Sequence, residues 1–274
     1  MTYRSLMVFL DLHHTNESAL RVACDLGDRF DSKVIGVTSG IPSTPVHLNG
    51  LIAPNVLEAN YEQLNEAVSL CEDRFRRAAD PVGCSSEWRS GTDLPADFLA
   101  SEARAADLLI AGQLDPDAAL VSGQSLDIGD ALMKAGRPLL VVPPHKTCMP
   151  LDRIMIAWKE TAEARRAISA ALPLLQAAKE LTIVEVFEKA EQDSAALHVA
   201  DVAKWLRRHE IAASTSTELS VGNSGSQLEL IASEYGADVI VAGAYGYSRF
   251  REWAFGGVTR HLLQQRSICA LLMH

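Results

Sequence analysis

Long apolar runs are missing from this sequence. Stretches such as LLIAG and VIVAG have strand length and fall far short of the roughly 20 residues a membrane helix needs. Met1 to His14 likewise lacks a basic region followed by an apolar stretch and a small-residue cleavage site. A soluble, cytoplasmic protein without a membrane partner is expected. Positive charge is also scarce, with 25 Lys and Arg against 35 Asp and Glu, a net charge of −10 and a pI near 5.3. Such a chain has no general attraction to phosphate backbones, so nucleic acid is not expected as a partner. The five cysteines, Cys24, Cys71, Cys84, Cys148 and Cys269, are odd in number and never in CxxC spacing. That pattern argues against a disulfide framework or a zinc knuckle and reads as small buried hydrophobes. His13 and His14 form a pair with no HxxxH or HExxH beside them, so no metal site is expected.

What is present is a repeat. A shift of 131 lays GTDLPADFLASEARAADLLIAG (91–112) on GNSGSQLELIASEYGADVIVAG (222–243) without a gap, pairing Gly91 with Gly222 and Gly112 with Gly243. Nearer the start of each half the shift is 148, pairing LMVFLD (6–11) with IMIAWK (154–159), and it grows to 149 at VIGV (34–37) against IVEV (183–186). Matching order along both halves makes chance similarity a poor explanation. The falling offset means that the first half carries an insertion between its second and third strands, within IPSTPVHLNGLIAPN and the helical pattern VLEANYEQLNEAVSLCEDRFRRAA.

Each half alternates short apolar runs with helical patterns. The strand candidates are LMVFL, VIGVT, SSEW, DLLIA and LLVV, then IMIAW, TIVEV, STSTE, VIVAG and CALLM. Between them, NESALRVACDLGDRF and TAEARRAISAALPLLQAAK repeat apolar residues at intervals of three and four. This alternation predicts an α/β fold of two tandem, doubly wound, five-stranded parallel-sheet domains of Rossmann-like type, over residues 1–146 and 150–274. Paired prolines in PPHKTCMPL (143–151) mark the boundary.

In such sheets ligands bind beyond the carboxyl ends of the strands, where strand order reverses. The fourth strand of the second half runs into GAYGYSRFREWAFGGVTR (243–260). Gly243 and Gly246 can take positive φ and carry no Cβ, so backbone amides there could close on a polyanion. Gly256 and Gly257 precede VTRHLLQQ, a helix whose first turn presents free amides and the positive end of a dipole. The plainer alternative is a set of tight turns.

Tandem five-stranded halves with a late G-x2-G-x9-G loop closing on the last helix resemble the universal stress protein family, over nearly the whole chain. The resemblance implies a stress-response protein that binds ATP or a related adenine nucleotide, with or without Mg2+, in its C-terminal domain and regulates through occupancy. It places Gly243, Gly246, Gly256, Gly257 and Thr259 around the phosphates and the Val186 backbone at the adenine. Gly222 would lie near the ribose, or simply make a turn. Two positions depart from the family pattern. Gly257 stands where a Ser or Thr is usual, leaving Thr259 as the nearest hydroxyl. Lys159 stands where an acidic residue is usual, and would reach a phosphate or stay solvated. Arg249, with Arg251 and Arg260, could neutralise phosphate charge; Trp253 and Phe255 are expected to pin the loop.

The first half keeps Asp11 at the position of Lys159 but has Asp115 at the position of Gly246, with Asp117 and Asp127 nearby. Negative charge there repels phosphate, so this site is expected to be degenerate. Nothing in GAYGYS resembles a P-loop lysine and Glu252 is the loop's only carboxylate, so any ATP hydrolysis should be slow or absent. The second reading is a ligand-free scaffold of the same fold, a domain–domain pseudo-dimer joined through LLVV and CALLM, or a homodimer.

Overall fold

The computed structural model describes residues 2–14, 17–43, 54–79, 85–114, 120–246 and 257–274. Two compact units emerge, and they do not divide at a single point in the chain. The N-terminal unit comprises Tyr3–Ala135 and Pro144–Thr147, and the C-terminal unit includes Gly136–Pro143 and Cys148–His274.

The N-terminal unit holds β1 (Ser5–Phe9), α1 (Glu17–Phe30), β2 (Lys33–Ser39), α2 (Pro54–Ala79), β3 (Ser86–Gly91), α3 (Pro95–Glu102), β4 (Leu108–Gly112) and α4 (Ile128–Ala135). Its strands lie in the order β3-β2-β1-β4, all parallel. The inner strands are apolar on both faces because helices cover both. Leu6, Met7, Val8, Leu108, Leu109 and Ile110 are completely buried. The expected insertion takes shape as α2, 26 residues long; the turn-rich stretch before it lies largely outside the described residues.

The C-terminal unit holds β5 (Leu139–Val142), β6 (Arg153–Trp158), α5 (Ala162–Ala177), β7 (Glu180–Phe187), α6 (Gln192–Arg207), β8 (Ser214–Leu219), α7 (Ser224–Tyr235), β9 (Val239–Gly243), α8 (Gly257–Gln264) and β10 (Cys269–Met273). Its order is β5-β10-β9-β6-β7-β8. All pairs are parallel except β5 with β10, which run antiparallel with Ala270 opposite Val141 and Leu272 opposite Leu139. The pairing of LLVV with CALLM anticipated from sequence is therefore present. It takes the fifth strand of the first half into the sheet of the second.

Local signals explain the element ends. Thr161 caps α5 by accepting from the Ala164 amide at 3.2 Å. Asn223 caps α7, its Oδ1 accepting from the amides of Gly225 and Ser226 at 2.9 and 3.3 Å, and Gly236 ends α7 at φ 69°. The outer strand β8 reads STSTEL and is the most exposed of the unit, a polar edge that discourages pairing with other chains.

Strand order reverses between β1 and β4 in one unit and between β6 and β9 in the other. The carboxyl ends of β6 and β9 therefore frame a crevice, and Gly243–Gly246 leave β9 at its edge.

Candidate functional site

The crevice in the C-terminal unit is built from the residues following β6 and β9. Gly243, the last residue of β9, abuts the first turn of α5. A Cβ placed on it would lie 2.7 Å from the Glu163 carbonyl carbon and 2.9 Å from the Ala164 Cα, and closer still to the Ala164 nitrogen. Glycine is required here so that the positive end of α5 can reach the strand terminus. The left-handed residue of GAYG is Tyr245, at φ 56°, while Gly243 and Gly246 both keep φ outside that region. This corrects the expectation that the glycines supply the positive φ.

Tyr245 is held by what surrounds it. Its amide donates to Thr259 Oγ1 at 3.3 Å, the neighbouring Ala244 amide donates to the Met273 carbonyl at 2.8 Å, and His274 Nδ1 lies 3.2 Å from the Ala244 carbonyl. Thr259 is 5% exposed. Its hydroxyl oxygen thus clamps the loop to the first turn of α8, a use that the sequence did not reveal.

Gly246 has room. The nearest atoms to a Cβ there would be Glu163 Oε2 at 3.5 Å and Thr161 Cγ2 at 3.6 Å, ordinary contacts. Glu163 is the residue that sequence reasoning missed. It is 4% exposed, its Oε1 pairs with Arg166 at 2.9 Å, and its Oε2 has no hydrogen-bond partner among the described residues. Its only signal in the sequence was a place in the helix turn that follows β6. A buried carboxylate oxygen left unpaired is costly unless something completes it.

Gly257 opens α8 and is exposed, with nothing among the described residues within 4 Å of a Cβ. Gly256, Arg249, Arg251, Trp253, Phe255 and Glu252 lie outside the described residues. Val186 is buried in β7, opposite Glu218 of β8. Gly222 follows β8 at φ 123° with open space around it, so its backbone conformation alone asks for glycine. Lys159 turns toward the β7–α6 connection, its Nζ 2.8 Å from Glu191 Oε2. That contact holds the Glu191 carboxyl below its usual range, helped by the Glu188 amide. Lys159 is thus paired with a neighbouring carboxylate while its side chain stays half exposed.

His261, on α8, sits 2.5 Å from Glu229 Oε2 of α7, and Ser267 donates to the other oxygen of the same carboxylate at 2.9 Å. This ties the two helices together and leaves the histidine turned from the crevice.

The matching crevice of the N-terminal unit is filled by its own chain. Gln124 is 6% exposed; its Nε2 donates to the Ile41 carbonyl at 2.8 Å and its Oε1 meets His13 Nε2. Leu12 and Gln124 press on Gly40 at the end of β2, and Gly123 takes φ 75° with Ile41 against it. Asp11 is 1% exposed and accepts from the amides of His13 and His14 at 2.9 and 3.1 Å. Asp127, assigned above to phosphate repulsion, accepts from the Asp130 amide at 3.0 Å at the start of α4. Asp115 and Asp117 lie outside the described residues. What closes this crevice among the described residues is packing by Gln124, Leu12 and Ile41.

Among the described residues no cluster of His, Cys, Asp and Glu could hold a metal ion by itself, and no helix is long and apolar enough to cross a membrane.

A doubly wound α/β architecture with a glycine-bearing loop at the strand-order reversal defines a class of small-molecule-binding folds. Within that class, residues 150–273 match the model of the universal stress protein family, and this part of the chain is a domain of that family. The whole chain is similar in fold to a universal stress protein from Archaeoglobus fulgidus DSM 4304, with a TM-score of 0.72 and 14% identity over 98% of this chain and 97% of that one. It is also similar to a functionally unknown protein from Pseudomonas aeruginosa PAO1, with a TM-score of 0.57 and 13% identity over 99% and 92%. At these identities the likeness is one of fold. No curated protein matches the chain.

Proposed function

We propose that the chain is a tandem universal stress protein that binds ATP or a related adenine nucleotide in its C-terminal unit and acts in a stress response as a nucleotide-dependent regulator. The observation that carries this reading is the crevice at the ends of β6 and β9, where among the described residues Glu163 Oε2 lies 3.5 Å from a Cβ on Gly246 and nothing lies within 4 Å of one on Gly257. Amides at a helix start favour phosphate oxygens. The unpaired Glu163 Oε2 on the opposite wall fits a Mg2+ ion carried by the phosphates. The remaining determinants are Gly243, which brings α5 to the strand end, Gly256 and Arg249 in the loop, the Val186 backbone for the base and Gly222 for the sugar. Thr259 acts by holding Tyr245, and Lys159 by holding Glu191. The N-terminal unit takes no triphosphate. The residues named supply no group to orient an attacking water, so occupancy rather than turnover is the signal.

Isothermal titration with ATP and Mg2+ tests this. Saturable heat lost in Gly246→Asp, which sets a second carboxylate beside Glu163, supports it; no heat at millimolar nucleotide removes it. The ligand-free scaffold is favoured by a different observation, the commitment of Lys159 and Thr259 to partners within the chain. Native mass spectrometry of protein purified without added ligand separates the two: a retained nucleotide excludes the scaffold.

A further inference from the structure

Helix α2 is longer than its counterpart in the other repeat, α6, with 26 residues against 16. α2 ends at Ala79 and β3 begins at Ser86, while α6 ends at Arg207 and β8 begins at Ser214, the same interval. Aligned from these ends, α6 corresponds to residues 64–79 and leaves 54–63 as an extension, about 15 Å long at 1.5 Å per residue. The core starts where the extension stops. Leu64 is 3% exposed and Cys71 and Phe75 are completely buried, whereas none of residues 56–63 is buried.

The apolar stripe of the helix nevertheless runs on. Leu57, Tyr61, Leu64, Val68, Cys71 and Phe75 follow one another at steps of four and three, a heptad seam along one face. At its inner end Phe75 lies against Gly36 of β2. At its outer end Leu57 and Tyr61 are 40% and 45% exposed, with Val56 beside them at 39%. A seam that is packed at one end and bare at the other offers its bare end to a second helix.

Charge on this segment has one sign. Glu58, Glu62 and Glu66 stand at steps of four beside the seam, all exposed, and no Lys or Arg occurs between residues 54 and 73. Among the described residues none of the three has an ion-pair partner; the ion pair of α2 joins Arg76 to Glu72, further along. Like charges four apart destabilise a helix, so this row is unfavourable until cations face it. Two copies overlapping through the bare segment would bring two acidic rows together in either direction, which argues against a second copy as the occupant.

We propose that the extension of α2 is a docking surface for a basic amphipathic helix of another protein. The apolar residues of that helix continue the seam over Leu57 and Tyr61, and its Lys or Arg side chains pair with Glu58, Glu62 and Glu66. The surface owes nothing to the glycine loop or to a bound nucleotide.

The test titrates the intact protein against two fluorescent two-heptad helical peptides with Leu at positions a and d, one carrying Lys and the other Glu at e and g, read by anisotropy. The Lys peptide should bind saturably, at least about tenfold more tightly than the Glu peptide, and more weakly as NaCl is added. Glu58→Gln, Glu62→Gln and Glu66→Gln together should weaken it about tenfold. Asp201→Asn, Glu210→Gln and Glu234→Gln, the same change of charge at exposed positions of the C-terminal unit, should leave it unchanged. Leu57→Ser with Tyr61→Ser, which spares the core and should leave Tm unaltered, should weaken it about tenfold with the acidic row intact. No saturable binding of the Lys peptide, equal weakening by the two charge triples, or no effect of the serine pair would overturn the proposal. So would a dimer in light scattering that the serine pair dissociates, since a second copy would then be the occupant.

Discussion

Alanine at Gly243 would drive its methyl into the backbone of Glu163 and Ala164, whereas alanine at Gly246 meets only ordinary van der Waals contacts. Gly243→Ala should therefore lose about 2 kcal/mol or more in urea unfolding, the range for overpacking against unyielding atoms. Gly246→Ala should stay within roughly 0.5 kcal/mol of the parent. The two glycines are equivalent in the sequence pattern, and only the approach of α5 separates them. Among the described residues nothing meets a Cβ on Gly257, so Gly257→Ser fits against them and offers phosphate a hydroxyl. On the nucleotide reading it should tighten ATP binding roughly tenfold by titration calorimetry, the worth of one hydrogen bond to a charged group. Residue roles were the least legible part of the sequence. Spacing pointed to the loop, but Thr259 spends its oxygen on Tyr245 and Lys159 its charge on Glu191, partners set by folding rather than by distance along the chain. Glu163 lay hidden because a carboxylate in the first turn of a helix is commonplace.

Helix ends and buried strand positions govern what can be predicted for the elements. Asn223→Ala removes the acceptor for two amides at the start of α7 and should cost about 1 kcal/mol. On β7, burial raises the Glu185 carboxyl above its ordinary value, and His198 opposes the shift. A raised carboxyl binds its proton more tightly in the folded chain, so its stabilising contribution is full at low pH and fades as pH climbs past the folded value. Glu185→Gln keeps an acceptor for His198 without the buried charge. Its stability relative to the parent should accordingly be most favourable near pH 7 and decline on acidification toward pH 4, as read from Tm against pH. The ten strand candidates were legible, the inner ones from apolar runs such as IMIAW and VIVAG and the polar edge strand β8 only from its place in the strand–helix order. The helices followed from three–four periodicity, and α2 from the offset between repeats. Patterns of this kind survive at 14% identity because burial on two faces constrains residue class rather than residue identity.

For the whole molecule the decisive feature is β5, which belongs to the first repeat in sequence and to the C-terminal unit in space. A fragment of residues 150–274 would leave the apolar strand CALLM with an open edge, and should self-associate at micromolar concentration in size-exclusion chromatography with light scattering. A fragment of residues 136–274 retains β5 and should elute as a monomer. The sequence pointed to the meeting of the two last strands but not to which unit β5 would join, because a run of four apolar residues has no marker of its partner. During synthesis LLVV must wait for its partner until roughly 130 more residues have been translated, about 6.5–26 s at 5–20 residues per second. Through that interval a fully apolar tetrapeptide has an unmet hydrogen-bonding edge on the nascent chain. Ribosome-associated chaperones would therefore find their clearest client segment at the seam between the repeats.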